Sequence, residues 1–467
     1  MDAYSISQTQ ARENRGGTLL LTSSIIAALG SFLFGFDTAV ISGTTEALRE
    51  LYGLSKNLLG FTVASALIGT LFGAVLVSRP SDWWGRRPVL TVLAVFYLVS
   101  AVGCAFAWNW WSLLFFRWIG GIAVGGASVV SPVYITEIAP ARRRGLLVAV
   151  SQLNIVVGIL AAYFSNYLVA HLLGADHPAT WRWMFGIEAF PAVAFLIASM
   201  RIPESPRWLM KKGNREAAES VLTRFGHEAP LREVEEIEQS LASERTAGHQ
   251  SILHRKYLKP LLLAAMIAAF NQLDGINAVI YYTTDIFRMA GADKTSALMQ
   301  SVIIGITNLV MTVLAMLLID RVGRKSLLLV GSITFVLSHG LAAWVFYTHV
   351  QGWIVIVALM GIVGSHAYSQ GAVVWVIINE LLPNAIRASG SAAACFLIWL
   401  LCIGVSWGFP VVVGDSTDPA VAGKSAALAF AFFAAMMVVQ FFLVLKYLPE
   451  TKGASLEELQ KRLGVEE

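Results

Sequence analysis

Charge is scarce in this chain of 467 residues. Asp, Glu, Lys and Arg together make up 14%, against about 25% in a soluble domain. Hydrophobic residues reach 56% and mean hydropathy is +0.66. With the charges gathered between long apolar stretches, this balance excludes an ordinary soluble α/β protein. The three cysteines, Cys104, Cys395 and Cys402, all lie inside apolar stretches. Neither a disulfide framework nor a metal cluster is therefore expected. A Ser/His/Asp set, a His-rich cluster and a nucleotide loop are also missing. The glycine-rich run at 120–126 lies within an apolar stretch and reads as packing glycines, not as a phosphate cradle. No enzyme, no cofactor and no metal are expected. The first twenty residues are polar, and the first apolar stretch ends without a small-residue cleavage site. It reads as a retained helix and not as a signal peptide.

Twelve apolar stretches remain, at 19–42, 57–78, 88–107, 111–134, 146–171, 181–200, 261–287, 298–319, 326–347, 352–379, 388–412 and 425–446. Each is long enough to cross a hydrocarbon core of about 30 Å as a helix, and lipid demands a backbone bonded within itself. The expected fold is an all-α membrane protein of twelve transmembrane helices. With the N-terminus inside, the outer loops hold Arg49, Lys56, Arg288, Lys294 and Lys424, and Arg117 and Arg182 fall in or beside spans. Those seven set apart, the remaining 27 of the 34 Lys and Arg residues lie on the cytoplasmic side, a strong positive-inside signal. The net charge of +4 thus reflects loop sorting and suggests no nucleic-acid partner.

The chain is also built twice. Arg79 to Val89 (RPSDWWGRRPV) is echoed by Leu317 to Leu327 (LLIDRVGRKSL). Tyr134 to Gly145 is echoed by Val376 to Ala388, and Arg201 to Trp208 by Lys446 to Gly453. Doubled membrane proteins of this kind are mostly transporters that bind substrate between the halves. The expected division is 1–200 as a six-helix bundle, 201–260 as a cytoplasmic helical linker, 261–448 as a second six-helix bundle and 449–467 as a cytoplasmic tail. The linker carries Leu231, Val234, Ile237 and Leu241 as one helical stripe, which is expected to tie the halves together. The repeated charges are candidates for a cytoplasmic gate: Asp82, Arg86, Arg87, Glu137, Arg144 and Glu204 in one copy, and Asp320, Arg324, Glu380, Arg387 and Glu450 in the other. Plain positive-inside anchoring is the alternative.

Asp37 stands within an apolar stretch, in FGFDTAVISG from Phe34 to Gly43. A carboxylate there is costly, so it should face the bundle interior or a water path. Arg117 is its expected partner, either for proton loading and release or in a static ion pair. Polar side chains gather at Gln152, Asn154, Asn271, Gln272, Asp274, Asn277, Tyr281 and Asn308, with Trp375 and Trp399 among them. Asn277 and Tyr281 are four apart and share a helix face. Amides both donate and accept, and an indole covers an apolar sugar face while its N–H bonds a hydroxyl. The set suits a polyol, although each amide alone could be interhelical glue. Intramembrane Arg and Lys do not cluster in the second half, which disfavours a multiply charged anion.

These residues, with Arg117-x-x-Gly120-Gly121, Pro203 to Arg207 (PESPR), Gln272 to Asn277 (QLDGIN) and Pro449 to Gly453 (PETKG), resemble the sugar porter family of the major facilitator superfamily over essentially the whole chain. The resemblance implies two pseudo-symmetric six-helix bundles and alternating access around a central monosaccharide site. It implies Asp37 as proton acceptor and Arg117 as its coupling partner. It also implies Phe34, Gln152, Asn271, Gln272, Asn277, Asn308, Trp375 and Trp399 as sugar ligands, with Tyr281 and Tyr282 near an outer gate. Ile159, Ile398, Ala372 and Asp274 depart from the usual pattern. The expected activity is proton-coupled symport of a neutral pentose or hexose. An uncoupled facilitator is the alternative, and a transporter-like sugar receptor a further one. The expected partners are sugar, proton and membrane lipid, for a monomer of the bacterial inner membrane with both termini cytoplasmic.

Overall fold

In the computed structural model, residues 3–140, 142–246, 254–416, 418–452 and 456–463 are described. Side chains at 3–15, 243–246, 320, 419–420, 456–457 and 462–463 lie outside that description. The described chain is all helix and turn, and twelve helices are long and apolar enough to cross a membrane. They run Gly16–Gly43, Lys56–Leu76, Arg86–Ala105, Trp110–Ile138, Arg144–Leu173, Thr180–Ser199, Arg255–Met289, Lys294–Ile319, Arg324–Thr348, Trp353–Leu381, Arg387–Val413 and Val421–Tyr447. Each is named below by its ordinal as a span.

Local signals set the ends of these helices. Ser55 caps the second span by accepting from the Leu58 N–H. Asn109 and Ser112 form a reciprocal cap at the start of the fourth, and Asp293 caps the eighth. The glycines at 121 and 125 behave as expected from the sequence. A Cβ on either would run into the second span's backbone, at the Ala66 and Thr70 carbonyls. Only a bare Cα lets these two helices approach so closely.

Two spans are broken. The seventh consists of Leu258–Leu273 and Ile276–Met289, parted at Gly275 with φ 77°. A Cβ there would lie 2.6 Å from the Phe433 ring. The tenth consists of Trp353–Tyr368 and Gln370–Leu381, parted at Ser369. Broken spans expose backbone and side-chain polar groups at mid-membrane depth, where transporters bind substrate.

The apolar core divides by depth. Toward the end that carries the 201–260 linker it is split in two. One part holds Leu20, Val89 and Tyr134 from spans one to six, and the other holds Tyr257, Leu327, Leu381 and Val444 from spans seven to twelve. Toward the far end a single core includes Val40, Tyr163 and Phe185 together with Tyr282, Phe346 and Phe430.

Polar bonds follow the same division. At the far end Arg49 pairs with Asp415 at 3.5 Å, Arg288 with Glu46 at 2.9 Å, and Lys294 with Asp176 at 3.3 Å. Trp407 donates to Asn57 at 2.8 Å, and the Tyr163 hydroxyl to the Ile280 carbonyl at 2.8 Å. All five join the first six spans to the last six. The molecule is closed at the far end, and its two cores part at the linker end.

The linker helices lie at Pro206–Lys211, Arg215–Arg224 and Pro230–Thr246. They pack on one another through Ala218, Leu222 and Val234. The sequence suggested that they tie the halves together. Their described bonds instead fasten them to the first half: Lys211 to Asp82 at 3.0 Å, Trp208 to the Asp82 carbonyl at 3.0 Å and His227 to the Ile138 carbonyl at 3.0 Å.

Candidate functional site

Asp37 and Arg117 meet as the sequence suggested. Both are buried, and an Asp37 carboxylate oxygen stands 3.6 Å from an Arg117 guanidinium nitrogen. That is an ion pair too long for a hydrogen bond. All three guanidinium nitrogens of Arg117 are enclosed without a hydrogen-bond partner among the described groups, and its Cζ lies 5.7 Å from the centroid of the Phe185 ring. A third ionisable group, missed in the sequence reading, joins them. Glu188 of the sixth span is 2% exposed and interacts electrostatically with both Asp37 and Arg117. The available signal was a lone carboxylate inside an apolar stretch, the same signal that marked Asp37.

The amides assemble around the break in the seventh span. Asn277 donates to the Gln272 side-chain oxygen at 2.5 Å, and Gln272 donates to that of Asn271 at 2.8 Å. Gln272 is buried and the two asparagines are half-buried. One turn on, the buried Tyr281 hydroxyl faces that of Thr38, next to Asp37. The next residue, Tyr282, donates to the Ser406 carbonyl at 2.9 Å and packs on Phe409. Phe34 of the first span lies 5.8 Å from Trp399 of the eleventh, centroid to centroid. Trp399 is buried, and its indole N–H faces the Cys395 thiol.

The other candidates make contacts of their own. Asn308 is buried and accepts from Thr312 at 3.5 Å. Gln152 is half-buried, and Asn154 donates to the Val150 carbonyl. Trp375 is 43% exposed. Among the departures, Ile159 and Ile398 are buried in the apolar cores. Asp274 has no exposure at all, and its carboxylate meets His366 at 2.7 Å. The sequence could not decide whether Asp274 was enclosed or solvated. It is enclosed, and its partner lies 92 residues away.

At the linker end the repeated charges form two similar clusters. In the first, Arg86 takes Glu137 with two bonds of 2.9 Å and reaches Asp82 at 3.3 Å. The Glu204 carboxylate accepts the backbone N–H groups of Arg86 and Arg87 at 2.9 and 3.2 Å. In the second, Arg324 stands 3.6 Å from Glu380, and Glu450 accepts the N–H groups of Arg324 and Lys325 at 3.1 Å each. Arg387 donates to the Leu382 carbonyl at 3.2 Å. Asp320 lies outside the described side chains. Arg144 is exposed and forms none of these described pairs. Burial pushes the Asp82 carboxyl up, but Lys211 and Arg86 outweigh it and hold the group below its ordinary value. Burial pushes the Glu204 carboxyl up, against the N–H bonds it accepts.

The model of the family described as Sugar (and other) transporter matches residues 23–463. The chain belongs to this family of sugar porters. As a member of the major facilitator superfamily it is a multi-pass membrane transporter. It is 37% identical to the D-xylose-proton symporter of Escherichia coli (strain K12), over 94% of this chain and 95% of that protein. It is 35% identical to the arabinose-proton symporter of Bacillus subtilis (strain 168), over 96% of each. Among solved structures, the inward-open conformation of the xylose transporter XylE from Escherichia coli superposes with a TM-score of 0.82 at 34% identity, covering 95% of this chain and 99% of that one. The partially occluded inward-open form of XylE gives 0.79 at 33% identity, covering 92% of this chain and all of that one. This sugar porter thus shares its overall architecture with solved structures of a xylose transporter.

Proposed function

We propose that this porter imports a neutral monosaccharide with a proton by alternating access, with Asp37 as the proton acceptor. The observation that carries the reading is the buried Asp37–Arg117 pair, whose guanidinium has no hydrogen bond of its own among the described groups. A charge held so incompletely is costly. Its enclosure favours a cycle in which the acid is neutral when loaded and turns to Arg117 when empty, each form suiting a different arrangement of the halves. The names of the relatives, both proton symporters of pentoses, favour the same coupling.

The sugar sits among Phe34, Gln272, Asn277 and Trp399, with Asn271, Tyr281, Asn308, Gln152 and Trp375 around it. The amide chain supplies donors and acceptors, and Trp399 supplies an indole face. The bundles are 1–200 and 261–448, the 201–260 linker and both termini face the cytoplasm of a bacterial inner membrane, and the closed far end faces outward. In that orientation the structure is the inward-facing state. The clusters around Arg86 and Arg324 are the inner gate.

The test is uptake into proteoliposomes with and without a pH gradient. Asp37→Asn abolishes uphill accumulation while sugar binding persists. Undiminished gradient-driven accumulation in that variant would place the proton elsewhere, and a parent protein that moves no protons with sugar would be a facilitator.

A further inference from the structure

Asp274 takes no part in the proton or sugar steps proposed above, yet it is the most thoroughly tied group at the break of the seventh span. One carboxylate oxygen accepts from the Ile276 N–H at 2.9 Å, and the other lies 2.7 Å from His366 Nδ1. His366 belongs to the first piece of the tenth span, three residues before its break at Ser369. The Asp274 backbone carbonyl accepts from His339 Nε2 of the ninth span at 2.8 Å. His339 is itself enclosed, stacked on Phe335 and flanked by Phe430 and Phe433. One residue thus binds the seventh span to the ninth and the tenth, at the point where two of the three are interrupted.

The pair is positioned to exchange a proton. The Asp274 side chain has no exposure, whereas that of His366 retains 18%, so a proton arrives through the imidazole. Among the described residues, His366 is the one charged group that interacts with the Asp274 carboxylate. His339 faces the backbone carbonyl. The twelfth span brings Phe433 against Gly275, and its Gln440 pairs with Gln370. From the eleventh span Cys402 faces Tyr281, and the eighth span presents Asn308 and Thr312 to one another. An imidazolium opposite the carboxylate makes the pair neutral overall. Loss of the proton leaves one enclosed negative charge without a counter-ion, which a low-dielectric site disfavours.

We propose that Asp274 and His366 form a second proton site, in the half opposite Asp37, that positions the sugar-binding amides. With the imidazole protonated, the ion pair clamps the break of the seventh span to the tenth. With the proton lost to solvent, the clamp loosens. Asp274 is two residues from Gln272 and three from Asn277, so a shift at the break passes directly into the Asn271–Gln272–Asn277 chain. Sugar affinity therefore falls when the pair loses its proton, and by reciprocity bound sugar holds the proton on the pair. This inference rests on the reading of those amides as sugar ligands.

The test is calorimetric titration of the purified full-length protein with D-xylose, from about pH 6 to about pH 9. It compares Asp37→Asn, which removes the first proton site, with Asp37→Asn/His366→Gln and with Asp37→Asn carrying the exchange Asp274→His/His366→Asp. The first variant weakens by about tenfold across that range. The second stays flat within about twofold, and the exchange restores the slope. A flat profile in the first, or an undiminished slope in the second, overturns the proposal. If Gln272→Ala binds D-xylose as the parent does, or the parent binds none, the sugar reading has failed. The proton site is then judged by ¹⁵N-histidine NMR: a His366 signal that titrates and is altered by Asp274→Asn sustains it, and a His366 signal that does not titrate overturns it.

Discussion

In the first half, Glu137 and Arg86 meet through two bonds of 2.9 Å, and Asp82 and Lys211 extend the cluster into the linker. In the second half, the matching Glu380 and Arg324 stand 3.6 Å apart. Both clusters hang on the same scaffold, a glycine of large positive φ (Gly85 at 103°, Gly323 at 97°) followed by two N–H groups that bind a distant glutamate. The membrane interiors differ far more. The first half encloses Asp37, Glu188 and Arg117, and the second encloses Asp274 and His366 in addition to its amides. The two halves keep the same Gly–Arg turn and glutamate contacts. The interiors differ: one holds two acids with an arginine, and the other an acid–histidine pair beside a chain of amides.

The contrast is broken most severely at Arg117. Arg117→Ala leaves Asp37 and Glu188 facing each other without a counter-charge, at a cost of about 3–5 kcal/mol. A large fall in the melting temperature of the purified protein is expected, with partial recovery in Arg117→Ala/Glu188→Gln. No recovery would show that Glu188 is not coupled to the pair.

Gln272→Ala tests the other interior. It removes a buried partner of two asparagines, a loss of about 1–3 kcal/mol, so sugar affinity falls roughly 5- to 150-fold while the melting temperature changes little. An affinity equal to the parent's would remove Gln272 from the site.

The shared scaffold is tested by Gly85→Ala and Gly323→Ala. Both glycines sit where an L side chain is strained by about 1–3 kcal/mol. At Gly85 the new Cβ also meets the Glu204 carboxyl carbon at 2.8 Å, and at Gly323 a Glu450 oxygen at 2.9 Å. Similar losses of transport are expected from both. A loss confined to one would show that the two hinges are not equivalent.

The smallest effect belongs to Asp82, which is 46% exposed at its side chain. Its carboxyl is held below the ordinary 3.8, so its stabilising contribution is present above that value and is lost as pH falls through the depressed one. Asp82→Asn should cost less than about 1 kcal/mol at neutral pH, and that difference should vanish in strong acid. A difference that persists there would assign the effect to the side chain's shape and not its charge.

The fold and the repeated charge clusters were legible in the sequence because each rests on local signals. Span length, loop charge and the Gly–Arg turns can all be read within about a dozen residues. Asp37 and Arg117 were legible because a charge in an apolar stretch marks itself. Glu188 carried the same mark but had no motif around it to draw notice. The Asp274–His366 contact could not be read at all, since it depends on how two interrupted helices stack across 92 residues of chain. The linker's allegiance to the first half was equally hidden, because an amphipathic stripe says that a surface is needed and not which one. Arg144 repeated in sequence without joining the cluster, a reminder that an echo fixes position more firmly than contact.

The far-end closure has a practical consequence. Arg49 and Asp415 are 40% and 52% exposed at their side chains, and Arg288 and Glu46 are 34% and 28% exposed. Pairs so wet are individually weak, and dissolved ions shield them at separations beyond about 8 Å in physiological salt and about 3 Å at molar concentration. The resting preference between the two faces of the carrier is therefore adjustable from the bath. Added electrolyte loosens the far-end contacts while leaving the enclosed Asp37 and Asp274 pairs nearly untouched, which makes ionic strength a dial for the far-end closure that needs no mutation.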